Sequence, residues 1–322
     1  MIIEKNNLQK ILSKRINKGV KVEGTWDKDN NEWNAFDKKH IQEIRHFYSN
    51  SFRKGLIEYP EKRPHPKPYS TNKFNLKFYI NSYLKTKFNQ KNIKANLEQI
   101  FLTYNGLGID YPEFDSKDKD FYYDIDGFAF NHNLRKYSEF ILILRQFMEM
   151  KDLHVCEIGG GYGGLAELMI TNNHVNNYLI IDLFQTLSVS MSYLIEKVSD
   201  KYRLHLVENG EDLKDVSGDY NILFVPVDAY MNIKDLIIEK YKINLFINSS
   251  SFVEMSMDYV NEYFSFIQQF KDTYLFSYNK IKRLEQGNVM SAYKFPYDDK
   301  FKHIFTREDK RYGELFRLSH RP

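Results

Sequence analysis

Seven residues near the middle of the chain, Glu157-Ile158-Gly159-Gly160-Gly161-Tyr162-Gly163, set an acid beside a run of glycines, directly after the apolar stretch Val155–Ile158. Glycines between a strand and a helix permit a tight turn and a close approach of backbone to ligand. Gly159, Gly161 and Gly164 also satisfy the G-x-G-x-x-G spacing of dinucleotide sites, so two ligand chemistries compete here. Glu157 separates them. A carboxylate beside the turn repels a pyrophosphate, whereas it attracts the cationic sulfonium and amino group of S-adenosylmethionine. Asp182 closes the next apolar run, Tyr178–Ile181, where an acid can accept hydrogen bonds from both ribose hydroxyls. Asp228 follows the run Ile222–Val227, where a carboxylate can receive an adenine amino group. Each acid taken singly could be a helix N-cap. Three of them at strand ends behind one glycine loop favour a nucleoside cofactor held by Glu157, Gly159, Gly161, Tyr162, Gly163, Asp182 and Asp228, with Asn248 at the end of a fourth run.

The second constellation is Asn248-Ser249-Ser250-Ser251-Phe252-Val253-Glu254-Met255, which follows the run Ile243–Ile247. In open α/β sheets ligands bind at the carboxyl ends of the strands, so these polar residues would face the reacting group of the cofactor. The alternative is plain capping of the next helix, for which Ser256 or Asp258 would suffice. Ser251 lacks the strand–turn–helix setting of a nucleophile elbow, which argues against a serine hydrolase. Transfer of the cofactor's methyl group needs alignment of the acceptor and, for a protic acceptor, a group to take its proton. His132 and Glu254 are the candidates for that base; basicity favours His132, with Glu254 orienting it or the acceptor. Arg135 and Tyr137 lie near His132 and, with Ser251, are candidates to hold acceptor hydroxyls or a phosphate. No His, Cys, Asp or Glu cluster has convincing metal spacing. A divalent cation on Asp228 and Glu254 is conceivable but not expected, because oxygen ligands cannot be recognised from spacing.

Positioning such a site requires alternating strands and helices. After Leu134–Met150, an amphipathic helix carrying Leu134, Tyr137, Ile141, Leu144 and Met148 on one face, the apolar runs Val155–Ile158, Tyr178–Ile181, Ile222–Val227, Ile243–Ile247 and Thr273–Tyr278 read as strands. Helical stretches around Leu165–Ile170, Leu187–Val198, Leu236–Tyr241 and Val260–Phe270 separate them, which predicts a Rossmann-like parallel sheet with helices on both faces. Val289–Phe295 and Leu315–Leu318 read as antiparallel strands that finish the sheet. Residues 1–133 read as a mainly helical region and acceptor lid, with helices at Phe36–Phe52, Leu76–Leu84 and Ile93–Tyr104 around a proline-rich connector, Tyr59–Tyr69. Residues 134–322 read as the cofactor-binding domain. The acidic stretch Asp110–Asp126 lacks the glycine and closing glutamate of a calcium loop.

Residues Glu157 to Leu165, then Ile181-Asp182-Leu183, then Asn248 to Met255 with Tyr263 following, resemble the sugar O-methyltransferases of bacterial surface-polysaccharide gene clusters. The likeness spans roughly residues 130–280, and its most specific part is Ser251–Met255. Phe184 departs from it, standing where the family pattern has a proline after Asp-Leu. The resemblance implies a class I methyltransferase fold, S-adenosylmethionine as donor, and a sugar hydroxyl as acceptor. It implies a place in capsule or surface-polysaccharide biosynthesis, with a nucleotide sugar or a glycan as partner. A nicotinamide-dependent oxidoreductase is the competing enzyme class, and Glu157 argues against it. A non-catalytic, methyltransferase-like scaffold is the competing non-enzyme, and Glu254 and His132 argue against that.

Composition agrees with a globular enzyme: 42% of the 322 residues are hydrophobic and 28% charged. A net charge of +3, with both signs interspersed, is too mild to point to nucleic acid. The single cysteine, Cys156, falls in an apolar run and reads as a small core residue of a reducing compartment. With a polar N-terminus and no run of membrane-spanning length, the expected location is the cytoplasm.

Overall fold

The computed structural model describes residues 1–8, 10–12, 92, 94–116, 122–285, 288–309 and 313–322. The segments Phe36–Phe52, Tyr59–Tyr69 and Leu76–Leu84 lie outside these residues. The chain divides into two compact units, Met1–Ile41 with Ile141–Pro322, and Gln42–Phe140.

In the Gln42–Phe140 unit, a helix (α1) covers residues 94–106. A hairpin joins β2 (Tyr123–Ile125) to β3 (Phe128–Phe130). Its turn, Asp126-Gly127, has φ of 52° and 85°, the left-handed pair that suits the strand twist. Phe101, Tyr111 and Phe130 pack their rings at 5.0–5.4 Å. The Tyr111 hydroxyl and Ser138 Oγ share a 2.6 Å hydrogen bond. Asn131 caps the next helix, α2 (His132–Leu144), by accepting the Leu134 N–H at 2.8 Å. That helix was expected to run to Met150. It stops at Leu144, where the ladder tightens to i→i+3 bonds at Gln146 and Phe147.

Among the described residues of the larger unit, nine strands form one sheet in the order β1-β6-β7-β5-β4-β8-β9-β13-β12. The strands are β1 (Ile2–Ile3), β4 (Leu153–Ile158), β5 (Val175–Asp182), β6 (Arg203–Leu206), β7 (Asn221–Pro226), β8 (Leu245–Ser249), β9 (Thr273–Lys280), β12 (Lys302–Asp309) and β13 (Glu314–Arg321). From β6 to β9 all pairings are parallel, while β1, β13 and β12 pair antiparallel. The helices are α3 (Gly164–Thr171), α4 (Phe184–Lys197), α5 (Gly210–Lys214), α6 (Val227–Lys240) and α7 (Met257–Ile267).

Strand alternation sorts the core into two faces. Cys156, Ile158, Leu179, Ile181, Leu223, Val225 and Phe246 form one cluster with Ile233 and Ile237 of α6 and Tyr263 and Phe264 of α7. Val155, Tyr178 and Ile180 point the other way and are equally buried, and α3 and α4 pack against β5 without joining that cluster. The result is the Rossmann-like α/β arrangement expected, with helices on both faces.

Two expectations are corrected. Val289–Phe295 does not join the main sheet. Asn288–Ser291 (β11) instead pairs with Lys282–Glu285 (β10) in a separate two-stranded ladder, and Ala292–Lys294 turns as a 3-10 helix. The run Ile222–Val227 does not extend as a strand to Asp228. Pro226 ends β7, and Val227 already belongs to α6. Among the described residues no helix is long and apolar enough to cross a membrane.

Candidate functional site

From β4 the chain crosses to β5 on one side, and it returns later to β8 on the other. At such a switch point the loops leaving the carboxyl ends diverge and open a crevice. The glycine loop leaves β4 there, and Ser249–Met255 leaves β8 beside it.

Within the loop the glycines divide the work. Gly159 has φ 82°, and a Cβ on it would fall onto the side chain of Ser251. Gly161 has φ 58°, and nothing lies within 4 Å of the place its Cβ would take. A ligand can therefore approach the backbone at Gly161. The Gly161 N–H donates to Asp182 Oδ2 at 3.1 Å, and the Leu183 N–H donates to Asp182 Oδ1 at 2.7 Å. Gly159 N–H donates to the Ile181 carbonyl at 2.8 Å. Asp182 and the end of β5 thus fix the backbone of the loop.

Glu157 is buried, and the Tyr178 hydroxyl donates to its Oε2 at 2.8 Å. Burial pushes its carboxyl up to about 8; the Tyr178 bond opposes this and the charge of Asp182 adds to it. Burial likewise lifts Asp182 to about 7, against the pull of its bonds from Leu183, Gly161 and Thr186, and Glu254 raises it further. Glu157, Asp182 and Glu254 are therefore linked electrostatically at one sheet edge. Near neutrality the buried Glu157 tends to keep its proton while the half-buried Asp182 is poised near half-ionisation, and a cation entering the crevice would favour proton release from both.

Glu254 sits in the short 3-10 turn Phe252–Glu254, with its N–H bonded to the Ser251 carbonyl at 2.9 Å. Ser251 Oγ donates to the Ile158 carbonyl at 3.0 Å. Asn248 is fully buried and its amide is engaged within the protein. Nδ2 donates to the Ile158 carbonyl at 2.8 Å and to Ser251 Oγ at 2.5 Å. Oδ1 accepts the Phe252 N–H at 3.2 Å and Asn279 Nδ2 at 2.9 Å. Asn248 thus clips the β8 loop to the end of β4. Tyr162 is buried with its ring edge-on to Tyr193 at 5.2 Å. Asp228 lies exposed in the first turn of α6.

His132, Arg135 and Tyr137 are carried by the first two turns of α2, in the Gln42–Phe140 unit. Arg135 pairs with Glu139 at 3.9 Å, and the Tyr137 ring meets Phe140 at 5.9 Å. Burial, with the charges of Arg135 and Lys136, holds His132 down to about 4. Among the described residues no group of three His, Cys, Asp or Glu side chains is placed to hold a metal ion.

Sequence reasoning passes over two residues of the edge. Tyr178 anchors Glu157, and Ser250 takes φ 68° while its N–H donates to the Tyr278 carbonyl at 2.7 Å. A left-handed serine costs on the order of 1 kcal/mol or more, and here it aims the Ser251–Glu254 turn. The three-serine run is the signal that could have marked this turn.

No protein-family model matches this chain, and no curated protein sequence matches it. Solved structures of similar fold include magnesium protoporphyrin IX methyltransferase from Synechocystis with bound S-adenosylhomocysteine, at 10% identity and a TM-score of 0.39, covering 59% of this chain and 84% of that one. The PH0226 protein of Pyrococcus horikoshii is 13% identical with a TM-score of 0.41, covering 65% of this chain and 100% of that one. A SAM-dependent methyltransferase of Leishmania major is 8% identical with a TM-score of 0.38, covering 57% and 71%. These scores and identities carry no argument about activity, so the functional reading rests on the chain's own geometry.

Proposed function

We propose that this chain is an S-adenosylmethionine-dependent O-methyltransferase acting on a sugar hydroxyl, in a cytoplasmic step of bacterial capsule or surface-polysaccharide biosynthesis. One observation carries the reading. The open backbone at Gly161 is bonded to Asp182 and lies at the same edge as the buried Glu157, an acid-rich cradle suited to a cationic nucleoside and unsuited to a pyrophosphate.

Bound there, S-adenosylmethionine supplies an electrophilic methyl group. Asp182 would hold the ribose hydroxyls on lone pairs left free by Gly161 and Leu183. Glu157, steadied by Tyr178, would ionise to meet the ligand's positive charge. Gly159 and Asn248 act indirectly, by seating the Ser251–Glu254 turn against the loop. Glu254 is the proton acceptor proposed for the sugar hydroxyl, with Ser251 beside it. His132 is the second candidate, and Arg135 and Tyr137 are proposed to bind the sugar or its phosphate. The sugar assignment rests on the likeness of Ser251–Met255 to the sugar methyltransferase pattern.

Calorimetry with S-adenosylhomocysteine and with NADH tests the reading. Saturable heat from the first and none from the second is expected. Tight NADH binding with no heat from S-adenosylhomocysteine would sink it.

A further inference from the structure

Beyond the glycine loop, the covered face of β9, β13 and β12 carries a second polar cluster. Ser277 on β9 and Arg317 on β13 are register partners, and His303 on β12 is the partner of Ser319 on β13. Ser277 and Ser319 are buried and form the floor. Arg317 and Tyr297 are half-buried, while His303 and Tyr293 are exposed at the rim.

The Arg317 guanidinium lies 5.4 Å from the Tyr297 ring centre and 5.9 Å from that of Tyr293. Its Nε is buried and makes no hydrogen bond among the described residues. The Tyr297 hydroxyl faces Ser277, Ser319 and Arg317, yet it too is buried without a completed hydrogen bond. His303 Nδ1 shares a 2.7 Å bond with Ser319 Oγ, and partial burial and the charge of Arg317 shift the imidazole below its ordinary value. Glu308 accepts the Tyr293 hydroxyl, and Asp298 accepts Arg321 at 3.2 Å.

A buried donor left unsatisfied costs about 1–3 kcal/mol, so two of them in one place call for an acceptor. A planar guanidinium flanked by hydroxyls, with no ion pair among the described residues, matches the fork geometry of a phosphate group. We infer that Arg317, Tyr297, Ser277, Ser319 and His303 form a binding site for a phosphate oxyanion. Ser277 Oγ accepts Asn279 Nδ2 at 2.9 Å, and Asn279 donates in turn to Asn248, so one hydrogen-bonded row connects this site with the clip beneath the glycine loop. The phosphate is either free or esterified. In the second case it would belong to a nucleotide-sugar acceptor, a link that rests on the function proposed above.

The test is calorimetric titration of the full chain with inorganic phosphate and with uridine diphosphate at matched ionic strength. The variants are Arg317→Gln and the near-isosteric Tyr297→Phe, with S-adenosylhomocysteine binding and thermal melting as checks on folding. Saturable binding of either probe is expected, weakened about tenfold or more in Arg317→Gln, as for loss of a charge-assisted hydrogen bond. A smaller loss is expected in Tyr297→Phe, with cofactor affinity unchanged in both. Tighter binding of uridine diphosphate than of phosphate marks an esterified ligand, and equal binding marks the free ion. Absence of saturable binding of either probe by the wild-type protein overturns the inference, as does undiminished binding by a folded Arg317→Gln. A failure of S-adenosylhomocysteine to bind would count against the methyltransferase reading and leave the phosphate site standing.

Discussion

The Asp182 carboxylate accepts the backbone N–H of Gly161 at 3.1 Å, so the acid at the end of β5 holds the one loop glycine whose side-chain position is open. The same carboxylate is the proposed ribose acceptor. Asp182→Ala should weaken S-adenosylhomocysteine binding by about 1.5–3 kcal/mol, the scale of hydrogen bonds to a charged group. Isothermal calorimetry checks this, and unchanged affinity would remove Asp182 from the site.

Stability should depend on pH through the buried Glu157 and the half-buried Asp182. Glu157 moves from an ordinary 4.5 to about 8 on folding, and Asp182 from 3.8 to about 7. The unfolded chain therefore loses these protons at a pH where the folded chain keeps them. Their contribution to stability is full below the unfolded values, falls as pH rises, and is lost once the folded values are passed. Urea unfolding of the ligand-free protein between about pH 5 and 8 should show this decline, and Glu157→Gln should flatten part of it. Cofactor binding should strengthen over the same interval as ionised acid becomes available. A Glu157→Gln protein with the wild-type pH slope would show that Glu157 is not buried as described.

The proton acceptor is tested by turnover at saturating acceptor. An ordinary imidazole would have the better basicity, but His132 is held down to about 4, which removes that advantage. Glu254→Gln should lower turnover about 10²–10⁴-fold with S-adenosylhomocysteine affinity kept, and His132→Ala should cost only a few-fold. The opposite ranking would transfer the role to His132.

Gly159 and Ser251 should be energetically coupled. Gly159→Ala imposes a left-handed alanine and a collision with Ser251, a cost of roughly 2–4 kcal/mol. Ser251→Gly alone loses the hydroxyl's bond to the Ile158 carbonyl, about 1 kcal/mol. The double variant should be more stable than the sum implies by about 1–2 kcal/mol, because the collision is gone. Strict additivity in urea unfolding would mean that the two side-chain positions do not meet.

The parallel core is legible in the sequence because buried parallel strands carry apolar runs, and β4, β5, β7, β8 and β9 each contain one, interrupted by Glu157 in β4 and Ser277 in β9. The edges are not. β6, Arg203-Leu204-His205-Leu206, is four residues long and owes its identity to its neighbours; His205 is satisfied by Asn221 of β7 at 3.1 Å. β12, Lys302–Asp309, has its side chains mostly exposed and reads as loop. In the candidate site, the shared position of Glu157, the glycines and Asp182 at one sheet edge is legible from type and spacing. At Asn248 the sequence shows only a polar residue at a strand end, which looks ligand-facing. Only the register, which brings Asn279, Ser251 and the Ile158 carbonyl to it, reveals a clip. Tyr178 is hidden for the same reason, since its partner Glu157 is set by strand pairing.

β13 comes last in chain order yet lies inside the sheet, between β9 and β12. During synthesis from the N-terminus, β9 remains a bare rim and β12 lacks its ladder partner until residues 314–321 leave the ribosome. An open rim of unpaired amides and carbonyls is a template for another chain. The nascent protein thus passes through an interval in which the strands bearing its glycine loop can already be paired while the sheet is still adhesive. That interval is where a chaperone would act, and a slow stretch of translation after β12 would lengthen it.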